Sequence, residues 1–221
     1  MPTPPLEDIT QRELLEIYDL QGNPLGVQAR NSFYEEIKQE FTANRHITRQ
    51  VKIATGFLLN SRGGIYLQKR SLDKQENPGL YDKSVGGHVL AGMPFELTLV
   101  LEYAQELGAP VAVAASPHEF DVAIKSMPLN LLGICRRIDY IAPFESVRIN
   151  QDGSRITIPF MNQVFVGYYD GSIRFIDGES SAIEVFTVGQ LKAQIRSNPN
   201  LFTEDLKGMV EKYEPHLRPI R

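Results

Sequence analysis

The sequence predicts a mixed α/β domain preceded by an N-terminal extension. Segments rich in β-branched or aromatic residues, which are typical of strands, alternate along the chain with segments whose apolar residues recur at helical spacing. Glycine and proline stand at the ends of several of these segments, where they interrupt regular structure. The length of 221 residues suits one large domain or a domain with an extension.

The first 50 residues predict the extension. Residues 1–10 are expected to be loose, and residues 13–30 predict a β-hairpin because two apolar runs flank the turn sequence "QGNP". Residues 31–44 predict an amphipathic helix capped by Asn31 or Ser32. We therefore divide the chain into an extension over 1–50 and a domain over 51–215.

The domain itself predicts alternating strands and helices. Strands are expected at 51–60, 65–71, 131–142 and 161–170. Helices are expected at 94–107, 187–198 and 203–213, and Thr203 is expected to cap the last of them.

Composition argues against several classes of protein. Hydrophobic residues make up 42% and charged residues 23%, as in ordinary soluble domains. The net charge of −4 and the lack of a dense basic run disfavour nucleic acid and anionic membranes as partners. Cys135 is the only cysteine, so neither an internal disulfide nor a cysteine-based metal site is expected. The opening "MPTPPLEDIT" does not have the pattern of a signal peptide, and we expect a cytoplasmic protein.

The stretch "GGHVLAGMPFELTLVLEYAQELGAP" (86–110) has clear helix boundaries and few charges. Pro94 suits the first turn of a helix, where its missing N–H costs nothing. Gly108 suits the left-handed residue that ends a helix, and Pro110 prevents continuation. We expect this helix to turn Leu97, Val100, Leu101 and Ala104 inward.

Glu102 and Glu106 lie four residues apart in this helix, so their carboxylates share one face. Two acids in that arrangement are either screened by solvent or bridged by a cation. Because both donors are oxygens, the cation would be Mg²⁺ or Mn²⁺ rather than zinc. The spacing alone leaves both alternatives open.

The stretch resembles the Nudix box, the signature G-x5-E-x7-R-E-U-x-E-E-x-G-U of the Nudix hydrolase superfamily, in which U is aliphatic. With its first glycine on Gly87, the signature ends on Gly108 without a gap. Glu102 and Glu106 then match two glutamates that commonly bind divalent metal in the family. The flanking "LLEIYDLQGNPLG", "FLLNSRGGIYLQKRS" and "PGLYDKSVGGHVLAG" are similar to the isopentenyl-diphosphate-isomerase-like subgroup. The resemblance covers most of residues 13–195 and implies an α/β/α sandwich with a mixed central sheet.

The box is degenerate in this chain. Met93, Leu101 and Gln105 stand where the signature has glutamate, arginine and glutamate. Gln105 could still coordinate a metal through its amide oxygen, but it carries no charge. Leu101 removes a cation that in the family braces the glutamates.

The resemblance also nominates residues outside the helix. Arg70 would clamp a diphosphate, since a guanidinium fork suits phosphate oxygens, and its neighbour Lys69 would face the other side of the strand. Glu184 would stand near the metals as a further acid, with Glu179 as a weaker candidate. Each of these could instead be an ordinary exposed side chain.

Gly87 and His88 complete the candidate site. Gly87 would let the backbone approach a ligand where a side chain would block it. His88 either approaches the site or fills a strand position.

Three functions follow from these residues. The first is a metal-dependent hydrolase of a nucleoside-diphosphate-linked or related diphosphate compound, with Glu102, Glu106 and Glu184 as catalytic residues and Mg²⁺ or Mn²⁺ as cofactor. The second is a non-catalytic module that binds a nucleotide or a protein partner. The third, an isopentenyl-diphosphate isomerase, is disfavoured because Cys135 is expected to be a core residue and the four histidines have no ligand spacing.

Two further expectations concern specificity and assembly. The resemblance implies that specificity lies in loops outside the box; residues 146–160 ("SVRINQDGSRITIPF") are expected to form such a loop or hairpin, and their composition fits a basic and polar lid. The hairpin at 13–30 has more apolar surface than an isolated ribbon can protect from water. It would therefore pack against the sheet or pair with a second subunit, and a homodimer is expected.

Overall fold

The computed structural model describes residues 13–174 and 180–220. Within these residues ten strands form one sheet, which five α-helices cover. The strands are β1 (Leu14–Asp19), β2 (Pro24–Ala29), β3 (Arg49–Leu59), β4 (Gly64–Arg70), β5 (Tyr81–Asp82), β6 (Val85–His88), β7 (Val111–Val113), β8 (Gly133–Ile149), β9 (Arg155–Tyr168) and β10 (Ser180–Thr187). The helices are α1 (Arg30–Asn44), α2 (Phe95–Leu107), α3 (Pro117–Ser126), α4 (Val188–Ser197) and α5 (Glu204–Tyr213).

The sheet is mixed and curled. Its main path runs β10-β4-β3-β9-β8-β7, with β1, β5 and β6 paired at its margins and β2 paired to β1. β3 runs parallel to β9 and β7 parallel to β8, whereas the other pairs are antiparallel. The prediction of a mixed α/β fold is therefore confirmed.

Helices pack on both faces of this sheet. Phe57 and Leu59 of β3 join a hydrophobic cluster that includes residues of α3, α4 and α5. Ala54 and Leu58, which point to the opposite face, join a second cluster beneath α2. The central sheet thus has a helical layer on each side.

The N-terminal hairpin joins the sheet of its own chain. β1 pairs with β3, Ile17 lying opposite Val51. Leu15 and Ile17 are buried in a third hydrophobic cluster, together with Phe33 of α1 and Phe160 of β9. The predicted hairpin and its packing against the sheet are confirmed, while the domain boundary near residue 50 stays a prediction.

The predicted cap of the first helix is wrong. α1 begins at Arg30, before Asn31 and Ser32, and its N-cap residue Ala29 has no side-chain cap. The bounds of the last two helices agree with the prediction to within one residue. Thr187 and Thr203 cap α4 and α5 through their side chains. α3, capped by Ser116, was not predicted.

Helix α2 lies within its predicted bounds but turns a different face to the sheet. Leu99, Tyr103 and Leu107 are fully buried, whereas Leu97 and Leu101 are 45% and 40% exposed. Ala104 is also exposed, and only Val100 of the predicted inward set packs partly against the core. The helix is apolar around most of its circumference, so periodicity alone did not decide which stripe faces inward.

Residues 146–160 form a hairpin, which is one of the two predicted alternatives. β8 and β9 continue through this stretch in antiparallel register, and the chain reverses at the turn 150–154. Ile156, Ile158 and Phe160 are buried in the third cluster. The predicted hairpin is therefore confirmed, and its alternate residues belong to the core, while a role as a lid stays a prediction.

No helix within 13–174 and 180–220 is long and apolar enough to cross a membrane.

Candidate functional site

A cavity of about 800 Å³ opens beside the C-terminal end of β6 and the last two turns of α2. Six of the candidate residues line it: Arg70, Gly87, His88, Glu102, Gln105 and Glu106. The predicted residues therefore come together from β4, β6 and α2. Other walls are contributed by α1, by the loop after β4 and by the β8–β9 hairpin.

Gly87 and Glu102 are in direct contact. β6 pairs with β3, with Gly87 opposite Ala54, and this pairing fixes the glycine backbone at the cavity wall. A Cβ atom added to Gly87 would overlap the carboxylate of Glu102. The glycine therefore makes room for the carboxylate, which lies against the backbone of β6.

Glu106 is the more buried of the two glutamates, with 7% of its surface exposed. Its Oε2 accepts a hydrogen bond from Nε2 of Gln68 on β4. The same amide nitrogen also donates to the carbonyl of Ser84 at 2.6 Å. Gln68 therefore fixes one oxygen of Glu106 in position, while Gln105, next in the helix, is exposed at the cavity edge.

The donor set can be compared with the needs of a hard divalent cation. Glu102, Glu106 and Gln105 present only oxygens as strong ligands, which Mg²⁺ and Mn²⁺ prefer. Across residues 13–174 and 180–220, no group of three or more His, Cys, Asp or Glu side chains could hold a metal ion. Because Mg²⁺ is commonly held by one or two carboxylates plus waters and substrate phosphates, the two glutamates fit such an ion.

Arg70 lines the cavity, but its guanidinium also holds the loop that follows β4. Nε and Nη2 donate to the carbonyl of Glu76 at 3.1 and 2.9 Å, and Nη1 lies 3.7 Å from Oδ2 of Asp82. Lys69 points away, with its ammonium over the ring of Tyr81. The expected alternation along β4 is thus observed.

Asp82 and Lys83 form a buried charge pair at the cavity wall. Lys83 Nζ lies 3.4 Å from Asp82 Oδ1, and the lysine chain passes over Gly86, where a Cβ atom would come within 2.7 Å of its Cε. Burial opposes ionisation of Asp82, but the positive charges of Lys83, Arg70 and Arg148 outweigh it and hold the pKa of that carboxyl well below its usual range. Asp82 is therefore an anion at neutral pH.

His88 contacts the N-terminal helix. Its Nε2 lies 2.7 Å from the hydroxyl of Tyr34, and the two rings meet edge to face. Burial, reinforced by the positive charges of Arg30 and Arg148, lowers the pKa of His88 well below its usual value. The imidazole is therefore neutral, and one of its nitrogens is used in joining β6 to α1.

Glu184 lies away from these residues. In the pairing of β10 with β4 it stands opposite Leu67, whereas Ile183 stands opposite the cavity residue Gln68. Because successive strand residues point to opposite faces, Glu184 shares the face of Leu67. It is exposed and accepts a hydrogen bond from the hydroxyl of Tyr81. The structure thus does not bring Glu184 to the cavity, and Glu179 lies outside the described residues.

Cys135 is buried beneath α2. It is fully inaccessible, stands opposite Gly167 of β9 and belongs to the same cluster as Tyr103. Burial raises the pKa of its thiol. It does not line the cavity, in agreement with its expected place in the core.

Several cavity residues were not predicted from the sequence. They include Tyr34, Gln68, Asp82, Lys83 and Arg148. Adjacent opposite charges just before the double glycine were a usable signal for Asp82 and Lys83. Tyr34, Gln68 and Arg148 reach the cavity through pairing and packing between distant segments, which a local pattern does not contain.

Comparisons with known proteins agree with the fold. No family model matches the chain. The chain is 34% identical over 109 residues to an uncharacterized Nudix hydrolase of Pseudomonas aeruginosa, covering 49% of this chain and 57% of that protein. It is 30% identical over 95 residues to an uncharacterized Nudix hydrolase of Nostoc sp., covering 43% and 50%. The chain thus spans about half the length of the curated relatives it matches.

A solved structure extends the likeness to the whole fold. The crystal structure of DR0079 from Deinococcus radiodurans matches with a TM-score of 0.61 and covers 90% of this chain and 98% of that chain. The sequence identity is 21%, so this likeness concerns the fold alone. Both curated relatives are Nudix hydrolases, and their likeness to this chain covers about half of each protein.

Proposed function

We propose that the protein is a divalent-metal-dependent hydrolase of a nucleoside-diphosphate-linked or related diphosphate compound. The observation that carries this proposal is the meeting of Glu102 and Glu106 in one cavity whose other walls include Arg70, Lys83 and Arg148. Carboxylates suit a hard cation, and the basic side chains suit the phosphate groups of a substrate.

Glu102 and Glu106 would hold Mg²⁺ or Mn²⁺, with the amide oxygen of Gln105 as a further ligand. Such an ion, when bound, polarises phosphoryl oxygens and lowers the pKa of a coordinated water. Gln68 would keep Glu106 oriented by donating to one of its oxygens. Glu102, which lies against Gly87 at the cavity wall, would accept the proton of the attacking water.

Basic side chains would stabilise the charge that develops on the diphosphate. Lys83 is buried at the wall next to Gly86, so its interaction with an anion would be only weakly screened by water. Arg70 would act mainly by holding the loop at 71–80 against the cavity, because two of its nitrogens already donate to Glu76. Glu184, exposed on the other face of the sheet, has no part in this mechanism.

A non-catalytic binding module is the second candidate. Met93 and Gln105 stand in place of two carboxylates of the box, and Leu101 stands in place of its arginine. The described residues contain no group of three His, Cys, Asp or Glu side chains that could hold a metal ion. A cavity that keeps its shape and its basic walls could bind a nucleotide without cleaving it. An isomerase that uses a cysteine is disfavoured, because Cys135 is buried outside the cavity.

Cleavage of the diphosphate linkage, followed by chromatography of the two phosphorylated products, is the measurement that separates these functions. The purified chain would be incubated with nucleotide sugars and dinucleoside polyphosphates in the presence of Mg²⁺ or Mn²⁺. We expect metal-dependent cleavage that Glu106→Gln abolishes and Glu184→Gln leaves unchanged. Binding of these compounds without cleavage would favour the binding module, and equal cleavage by Glu106→Gln would contradict the assigned site.

A homodimer remains part of the proposal. Leu25 and Val27 on β2 are exposed, although the opposite side of the hairpin is covered by its own chain. Pairing of two such strands would remove this apolar surface from water. Light scattering should then report twice the mass of the chain, whereas a monomer would contradict the dimer.

A further inference from the structure

Arg148 brings a guanidinium into the cavity from the β8–β9 hairpin. It lies next to the end of β8, opposite Ile156 of β9. Its side chain lines the cavity but is only 13% exposed. The hairpin at 146–160 therefore reaches the site with a charged side chain, beside that of Phe160, which also lines the cavity.

Nearby carboxylates attract the guanidinium of Arg148, but they do not accept hydrogen bonds from all of its N–H groups. An arginine has five N–H donors in a fixed fork. Nε of Arg148 is buried without a hydrogen-bond partner in the part of the chain that the structure describes. The carboxylates that pair with it, those of Glu76 and Asp205, lie 3.9 Å from its nitrogens, which is longer than a hydrogen bond.

The neighbouring carboxylates are occupied by other donors. Asp205 accepts from the hydroxyl of Ser146 and from the backbone N–H of Val147. Asp82 accepts from the backbone N–H of Lys83 and, at 3.0 Å, from the hydroxyl of Thr203. The surroundings therefore balance the charge of Arg148 while leaving donor capacity on its fork.

The position of the fork is nevertheless fixed. The guanidinium carbon lies 5.8 Å from the ring centroid of Phe160, within the range of a cation–π contact. Carboxylates on two sides, from the loop after β4 and from α5, restrict its rotation. A buried charged donor without an acceptor costs free energy, so an oxygen-rich ligand in the cavity has a prepared partner.

Two other arginines that line the cavity already donate hydrogen bonds within the protein and are therefore less available to bind a ligand. Arg70 donates twice to the carbonyl of Glu76. Arg30 donates to Glu13 at 2.6 Å. Sequence resemblance favours Arg70 as the clamp, but the contacts favour the arginine of the hairpin.

We propose that Arg148 is the residue that binds a phosphate oxygen of the ligand in this cavity, and that Arg70 positions the loop beside it. The inference rests on the proposed function, since it assigns the phosphate-binding residue of that same site. It also explains how the hairpin at 146–160 contributes to ligand binding while most of its buried residues belong to the core.

Isothermal titration calorimetry with inorganic pyrophosphate, in a buffer with a chelator, tests the assignment without metal and without turnover. The variants are Arg148→Lys, which keeps the positive charge but loses the fork, and Arg155→Gln, which changes an exposed arginine on the other strand of the same hairpin. We expect Arg148→Lys to weaken pyrophosphate binding about tenfold or more, since hydrogen bonds to charged groups are the strong ones. Arg155→Gln should bind like the parent.

The outcomes separate this assignment from the hydrolase itself. Parent-like binding by Arg148→Lys would overturn the proposal and leave Arg148 with a structural role, as would a parent that does not bind pyrophosphate at millimolar concentration. If Arg148→Lys does not fold, Arg148→Gln is judged by the same criterion. Failure of the parent to cleave diphosphates would contradict the hydrolase, yet a loss of pyrophosphate affinity in Arg148→Lys would still support the phosphate contact.

Discussion

Gly87 of β6 and Glu102 of α2 are in contact so close that any side chain on the glycine would overlap the glutamate carboxylate. The contact joins strand β6 to the helix that carries the candidate metal ligands. It also requires glycine at position 87 for a steric reason, independent of backbone conformation. Glu102 can occupy this position only because residue 87 on the neighbouring strand has no side chain.

Gly87→Ala should therefore displace Glu102. Overpacking of this kind costs about 1–3 kcal/mol, and the shifted carboxylate should lower or remove the stabilisation of the fold by Mg²⁺ or Mn²⁺. Thermal unfolding with and without metal measures both effects. Gly189→Ala is the matched control, because a Cβ atom there meets open space. A full metal response in Gly87→Ala would show that the contact does not position a ligand.

Much of the fold could be predicted from local patterns. Thr203 capped its helix as expected, and Gly108 ended α2 in the left-handed conformation at φ 59°. Such features depend on neighbours in sequence. The inward face of α2 could not be predicted, because apolar residues lie on more than one face of this helix. Packing against the sheet, which buries Leu99 and Tyr103, decides which face turns inward.

The candidate site was predictable where the box and its flanking motifs supplied it, as for Glu102, Glu106 and Arg70. Glu102, Glu106 and Gly87 line one cavity, as the resemblance to the box implied. Glu184 does not, because one residue of register in β10 decides which face of the sheet it occupies. Arg148 reaches the cavity from a distant hairpin, and no local pattern indicates that approach.

Asn77 joins the loop at 71–80 to the tip of the β8–β9 hairpin. Its backbone is left-handed at φ 52°, its side chain accepts from the N–H of Ile149 at 2.9 Å, and its own N–H donates to the carbonyl of Ile149 at 2.7 Å. Asn77→Ala should lower the free energy of unfolding by about 2–3 kcal/mol, from backbone strain and the lost hydrogen bond.

Asn77→Gly separates those two contributions. Glycine tolerates the left-handed conformation, so this variant should lose only the side-chain hydrogen bond, about 1 kcal/mol. Urea denaturation of the parent and both variants provides the three values. Equal losses in the two variants would mean that strain at position 77 contributes nothing.

His88 should make the protein less stable in mild acid. Burial lowers its pKa in the folded protein well below the ordinary value of 6.5, so the unfolded chain binds a proton there that the native state does not. The free energy of unfolding must then fall as pH drops below about 6.5, by at most about 1.4 kcal/mol per pH unit. Above that pH the contribution is complete.

His88→Gln removes this titration while keeping a polar partner for Tyr34. Urea denaturation at pH 7, 6 and 5 should show a shallower decline for this variant than for the parent. His118→Gln, at an exposed position of α3, should decline as steeply as the parent. The same slope in His88→Gln and the parent would refute a proton uptake linked to His88.

Thermal unfolding with millimolar Mg²⁺ or Mn²⁺ tests the central claim most directly, because a ligand that binds only the native state stabilises it by RT ln(1 + [L]/Kd). At a hundredfold excess over Kd this amounts to about 2.7 kcal/mol, which shifts the melting temperature of a domain of this size by several degrees. We expect the parent to show such a shift, Glu106→Gln to lose it, and Gln105→Glu to enlarge it by restoring a negative charge at the box. A parent whose melting temperature does not move, beside a Gln105→Glu variant that responds, would mean that the native site has lost its metal, and the metal-dependent hydrolase would give way to the binding module.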